Sequence, residues 1–145
     1  MKPIKTWIVL ADAGQVRIAV NEGQGKGIYG HSTPDLEPRP VTALSDEPGV
    51  THAPAGPNRG GISDPDLKAQ AMQGFAQDIA RYLADALSQD EYHRLILIAP
   101  AAMLGALRQA LTPPLRAVLH AEISKDLTQL PLDALPDHLA DVLVV

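Results

Sequence analysis

The chain has no cysteine, which excludes disulfides, thiolate chemistry and cysteine-ligated zinc. Aromatic residues are scarce, with one Trp, one Phe and three Tyr among 145 residues, so the core must be aliphatic. Positive charge is in short supply as well. Twelve Lys and Arg face seventeen Asp and Glu, for a formal charge of −5. Nucleic-acid affinity rests on basic patches, so no broad nucleic-acid surface is expected, although a small local site is compatible with this total. No apolar run is long enough to cross a bilayer, and no membrane partner is expected. Lys2 and Lys5 precede the apolar run from Trp7 to Ala11, but that run is short and is broken by Asp12. A secretory signal needs a longer apolar region and a cleavage site. The expectation is a soluble cytoplasmic protein.

Several catalytic signatures are missing too. There is no nucleophile elbow, no Walker A loop and no HExxH helix. None of the five histidines (His31, His52, His93, His120, His138) forms an i, i+4 pair. No cofactor and no metal site are expected from these patterns.

What is present is a set of strong strand and helix patterns. Residues 94–100 (RLILIAP) form the most apolar β-type stretch, and both alternating faces are apolar. Such a strand belongs in the middle of a sheet covered on both sides. Residues 6–12 have the same character. After the turn at Ala13 and Gly14, residues 15–21 alternate, with Val16, Ile18 and Val20 on one face and Gln15, Arg17 and Asn21 on the other. The short turn predicts an antiparallel hairpin. A weaker third strand over 27–33, with Gly30 inside it, suits a sheet edge.

Residues 34–63 are rich in Pro and Gly and keep no period, which predicts a long irregular loop. A long amphipathic helix follows, opened by Ser63, Asp64, Pro65 and Asp66 and striped by Leu67, Ala71, Phe75, Ile79, Leu83 and Leu87. A second helix begins after Pro100, and Pro113 with Pro114 is expected to end it. Residues 117–124 read as a strand with Ala117, Leu119, Ala121 and Ile123 on its buried face, and a last short helix is expected from Pro136, carrying Leu139, Val142 and Leu143. The order is β-β-β-α-β-α-β-α. Right-handed crossovers place the two strands apolar on both faces side by side, in the sheet order 3-2-1-4-5. The expected fold is a single α/β domain over 1–145, ribonuclease-H-like, with a mixed five-stranded sheet and helices on both faces.

Candidate binding residues lie at the sheet's ends and in the loop. Asp12 ends the first strand, and Arg17 lies on the polar face of the second. Arg59, Gly60 and Gly61 sit just before the long helix, where two glycines free the backbone to approach a ligand and the helix end favours an anion. Lys125 and Asp126 turn the chain out of the last strand. His120 and Glu122 share a strand face, where an acid-base or metal role competes with a plain solvent-facing edge. Two-metal phosphoryl chemistry needs several converging carboxylates. Asp12 supplies one, but the fourth strand ends in Ala99 and Pro100.

Five segments taken in order resemble one family: residues 7–18, 63–65, 75–80, 95–100 with 104–108, and 122–128. They are similar to the bacterial host attachment proteins, described as required for attachment to host cells. The resemblance implies a relation to the middle domain of archaeal and eukaryotic class-1 peptide-chain release factors. In those factors a Gly-Gly-Gln loop before the long helix triggers peptidyl-tRNA hydrolysis. Here Gly60 and Gly61 are followed by Ile62, which offers no amide. The expected function is a non-catalytic cytoplasmic adaptor that binds a protein or RNA partner, on the ribosome in the translation-related version. The acidic total favours a protein. The alternative is a metal-dependent hydrolase or nuclease using Asp12, Asp64 and Asp126.

Overall fold

The computed structural model describes residues 4–31, 34–38 and 64–143. Most of the expected loop, with Arg59, Gly60 and Gly61, lies outside the described residues.

Three strands come first: β1 (Thr6–Ala11), β2 (Val16–Asn21) and the two-residue β3 (Tyr29–Gly30). The helix α1 (Asp64–Ser88) leads to β4 (Arg94–Ala99), and then come α2 (Ala101–Ala110), α3 (Pro113–Val118) and β5 (Leu119–Ser124). A 3-10 turn over Leu132–Ala134 runs into α4 (Leu135–Leu139). The strands form one sheet in the order β3-β2-β1-β4-β5. β1 pairs antiparallel with β2 and parallel with β4, and β5 runs parallel to β4. The carboxyl ends of β1, β4 and β5 therefore lie along one edge.

The doubly apolar strands take the centre because only there are both faces covered. Trp7, Val9, Leu95, Leu97 and Ala99 point toward α1, α2 and α3, where they meet Phe75, Ile79, Leu83, Leu104, Leu107 and Leu115. Ile8, Leu10, Ile96 and Ile98 point the other way, onto Leu127, Leu135, Leu139 and Leu143. Each fully buried Leu or Ile contributes about 2 kcal/mol by leaving water. The core is nearly all aliphatic, as the shortage of aromatics requires.

Two local expectations are corrected. Pro113 and Pro114 do not simply stop a helix; they start another, with Pro at the first positions of α3. A proline pushes the residue before it out of the helical region, so Thr112 is extended, and Leu111 at the end of α2 is extended as well. Its own fixed φ and missing N–H then suit a first helical turn. Ala117 and Val118 are thereby taken from the strand.

The second correction concerns the faces of β5. Leu95 pairs with Leu119, but Ile96 pairs with Ala121, so a bulge leaves His120 as the extra residue. Bulges turn neighbouring side chains out of the plain alternation. Leu119 packs with the α1 side, whereas Ala121 and Ile123 pack with the α4 side. The last helix is also shorter than expected, and Val142 and Leu143 follow it. At the far edge, β3 is close to the surface of the C-terminal segment: a Cβ on Gly30 would stand 3.2 Å from Leu132 Cδ1.

Candidate functional site

At the carboxyl end of β1, Asp12 closes the hairpin. Its Oδ1 accepts the backbone N–H groups of Gly14 (2.8 Å) and Gln15 (2.9 Å). This is the local turn role that an Asp fills well, because its short side chain reaches the backbone two and three residues on. Its second oxygen is committed to a distant part of the chain. Oδ2 accepts the Thr128 hydroxyl at 3.0 Å across 116 positions of sequence.

Thr128 is the hub of the corner. It is 3% exposed. Its hydroxyl lies 3.0 Å from Asp12 Oδ2 and 3.0 Å from Asp126 Oδ1, and it accepts from Gln15 Nε2 at 3.3 Å. A hydroxyl has one proton, so it donates to one carboxylate at a time. The Thr128 N–H also faces Asp126 Oδ1 at 3.4 Å. Arg17 completes the arrangement from β2. Its Nη1 donates to the carbonyls of Thr128 and Leu130, both at 2.8 Å. The loop after β5 is thus fastened to the β1–β2 hairpin by three side chains.

Apolar packing brings the loop there. Leu127 is buried against the second face of the sheet, with Leu130 and Leu132 packed beside it. The outer side of the loop lines a cavity of about 310 Å³, formed by Asp126, Leu127, Gln129, Leu130 and Pro131.

The electrostatics follow from these contacts. Partial burial alone raises the Asp12 carboxyl, but the Gly14 N–H, the Thr128 hydroxyl and the Gln15 donors outweigh it. Together they hold the group below its ordinary value. Asp12 is therefore a fixed anion at neutral pH. Buried as it is, the Thr128 hydroxyl positions its neighbours and is not presented to a substrate as a nucleophile.

Of the candidate residues, the structure joins Asp12, Arg17 and Asp126 around Thr128. Lys125 stands next in the chain but turns to α4, with Nζ 3.3 Å from His138 Nδ1. His120 and Glu122 go separate ways. His120 Nε2 lies 2.7 Å from the Val142 carbonyl, and Glu122 pairs with Arg108 of α2. Arg59, Gly60 and Gly61 lie outside the described residues. Among the described residues no group of three or more His, Asp or Glu is placed to hold a metal ion. Gln15, Thr128 and Leu130 were missed as site residues. The Asp-x-Thr spacing of Asp126 and Thr128 is the one local signal that could have marked the turn.

A family model described as "Protein required for attachment to host cells" matches residues 7–139. The chain belongs to that family. The matched span of this host attachment family member contains Asp12, Gln15, Arg17, Asp126 and Thr128. The chain is also 47% identical over 47 residues to an uncharacterised protein of Rickettsia prowazekii (strain Madrid E). That match covers 32% of this chain and 31% of the relative, so it spans under a third of the relative's length. Among solved structures, an archaeal protein is similar at a TM-score of 0.45 and 12% identity, over 94% of this chain and 40% of that one. Among the described residues no helix is long and apolar enough to cross a membrane.

Proposed function

We propose that this host attachment family protein is a non-catalytic adaptor, and that it engages a protein partner through the corner formed by Asp12, Arg17 and residues 125–131. One observation carries the reading. Three side chains from the first hairpin clamp a distant loop in a single geometry, and that loop borders a cavity of about 310 Å³. A recognition surface gains from such pre-organisation, because little freedom is lost on binding. The cavity wall mixes an acid and an amide with Leu127, Leu130 and Pro131, a combination that suits a protein side chain better than a phosphate backbone. The acidic total of the chain points the same way.

The adaptor acts in the cytoplasm, and the relation to release-factor middle domains that the sequence resemblance implies makes a ribosome-bound partner the first to test. On that resemblance, Ile62 after Gly60 and Gly61 takes the place of the glutamine in those factors, which speaks against peptidyl-tRNA hydrolysis by that route.

A photo-crosslinking residue at Gln129, on the exposed side of the loop, tests the reading in cells. A discrete adduct is expected that is absent when the crosslinker sits at exposed Arg81 on α1, and that is lost in Asp126→Lys. No adduct at Gln129, or equal adducts at both positions, overturns it. Sedimentation of lysate at low salt decides the ribosome version: absence from ribosomal fractions removes it. Metal-dependent turnover of a phosphodiester that is lost in Asp12→Asn would replace the adaptor by the hydrolase alternative.

A further inference from the structure

The segment after β5 carries most of the chain's net charge. Residues 126–143 contain Asp126, Asp133, Asp137 and Asp141 and no Glu, Lys or Arg, in a chain of formal charge −5. All four aspartates are exposed. Three of them recur at a spacing of four along the 3-10 turn, α4 and the turn after it, where the N–H groups of Val142 and Leu143 donate to the Leu139 carbonyl. Leu135, Leu139 and Leu143, each two places further on, are buried against the second face of the sheet. Positions four apart share a side of a helical turn, and positions two apart lie on nearly opposite sides. Burial of the leucines therefore sets the three aspartates in one outward row.

The fold gains little from that row. Like charges at four-residue spacing destabilise a helix. Asp137 suits the first turn of α4, but Asp141 lies past its carboxyl end, where the helix dipole disfavours an acid. No ion pair among the described residues engages the row. Lys125 is the neighbouring cation in the chain, and its Nζ stands 3.3 Å from His138 Nδ1 on α4.

The same segment holds the cavity of about 310 Å³ on the outer side of the loop. Asp126 belongs to the cavity wall, and Asp133 follows Pro131 of that wall by two residues, so cavity and row are continuous along the chain. Leu130 is half-buried and Pro131 is exposed, so both keep apolar surface to offer. A cavity of about 150 Å³ accepts a benzene ring, so this larger one has room for a leucine-sized side chain and the backbone that carries it.

We propose that the partner presents a polypeptide segment rich in Lys and Arg around one apolar side chain of about leucine size. The inference rests on the adaptor reading of this corner and adds the chemistry of what the corner binds. The apolar side chain enters the cavity beside Leu130 and Pro131, and the flanking cations lie along Asp133, Asp137 and Asp141. Complementary charge steers such a segment to this face and disfavours wrong partners. A phosphate backbone or an acidic segment meets the same row as repulsion. Exposed charges are screened beyond about 10 Å at 0.1 M salt, so binding weakens as salt rises.

The probe is a fluorescein-labelled peptide with a central leucine flanked by three lysines on each side, titrated with the full chain at low ionic strength and read by anisotropy. Saturable binding is expected, weaker by about fivefold or more for the peptide with serine at its centre. The triple variant Asp133→Asn, Asp137→Asn, Asp141→Asn should bind the leucine peptide about tenfold more weakly. A control variant, Asp35→Asn, Glu37→Gln, Asp85→Asn, removes the same charge from the other side of the sheet, where Leu36 and α1 pack. It should stay within about twofold of the unaltered chain. All six positions are exposed, and a thermal melt confirms that each variant is folded. Absence of saturable binding overturns the proposal, and so does equal weakening by the two triple variants or equal binding of the serine peptide. In cells, an adduct at Gln129 that persists unchanged in the Asp133, Asp137 and Asp141 variant overturns it and leaves the adaptor reading standing. No adduct at Gln129 removes the adaptor reading, and this inference with it.

Discussion

Replacing Thr128 by valine removes the one hydroxyl that ties the end of β1 to the loop after β5, while keeping the volume nearly the same. The side chain is 3% exposed, so water cannot replace what is lost. The hydroxyl serves the Asp12 carboxylate at 3.0 Å and receives Gln15 Nε2 at 3.3 Å. A hydrogen bond to a charged group contributes roughly 1.5–3 kcal/mol, and one between neutral groups about 1 kcal/mol. Asp12 is partly exposed and keeps its two backbone donors, which lowers its share. The expected loss for Thr128→Val is about 2 kcal/mol. For a chain of this length that lowers Tm by roughly 6 °C.

The decisive assay is a double-mutant cycle of Thr128→Val with Asp12→Asn, read by urea unfolding and followed by Trp7 fluorescence. Because the two groups share one bond across 116 positions, the cycle should show a coupling of about 1 kcal/mol or more. The cycle with Asp126→Asn should show less. That contact spans only two residues, so it ties no distant part of the chain, and the single hydroxyl proton can still serve Asp12 when Asp126 is replaced. Thr128 and Asp12 effects that simply add within about 0.5 kcal/mol would refute the clamp.

Three further outcomes are expected. Arg17→Met strands the Thr128 and Leu130 carbonyls, both held at 2.8 Å, and should cost about 3 kcal/mol in urea unfolding, with faster hydrogen exchange confined to residues 126–131. Asn21 is 1% exposed and binds the Gly23 and Gly27 carbonyls and the Gly23 N–H, so Asn21→Ala should cost about 2–3 kcal/mol and loosen the glycine-rich turn in amide exchange. Asp12 has a depressed folded pKa, so its contribution is present above the ordinary carboxylate value of 3.8 and is lost as pH falls through the lower folded value. Acid unfolding of the unaltered chain should therefore show a proton uptake near and below that pH. Asp12→Asn should show a smaller uptake there, and an unchanged acid limb in that variant would contradict the assignment.

Much of the fold was legible because strand and helix periods are properties of the chain itself. The double apolarity of residues 6–11 and 94–99 demanded central positions, and the structure places β1 and β4 side by side in the sheet order 3-2-1-4-5. The stripe through Phe75, Ile79 and Leu83 likewise predicted one buried face of α1. Local rules misled where they gave a stop and no sequel. A proline ends a helix, but nothing local says whether the next residues begin another, as they do at Pro113. The bulge at His120 is equally invisible, since it depends on how β5 is seated against β4.

The candidate corner divides the same way. Sequence alone marked Asp12 as the residue that ends the first strand, and marked Lys125 and Asp126 as the turn out of the last strand. It also settled the scarcity of aromatics, the acidic total and the absence of cysteine. Only the tertiary structure decided that the Asp12 turn and the Asp126 turn are one place. The parallel run of β1, β4 and β5 sets their carboxyl ends on a common edge. Burial of Leu127 against Leu10 and Ile98 then draws the loop back until Thr128 and Arg17 close it. Contacts across more than a hundred residues arise from that packing, and no local pattern records them.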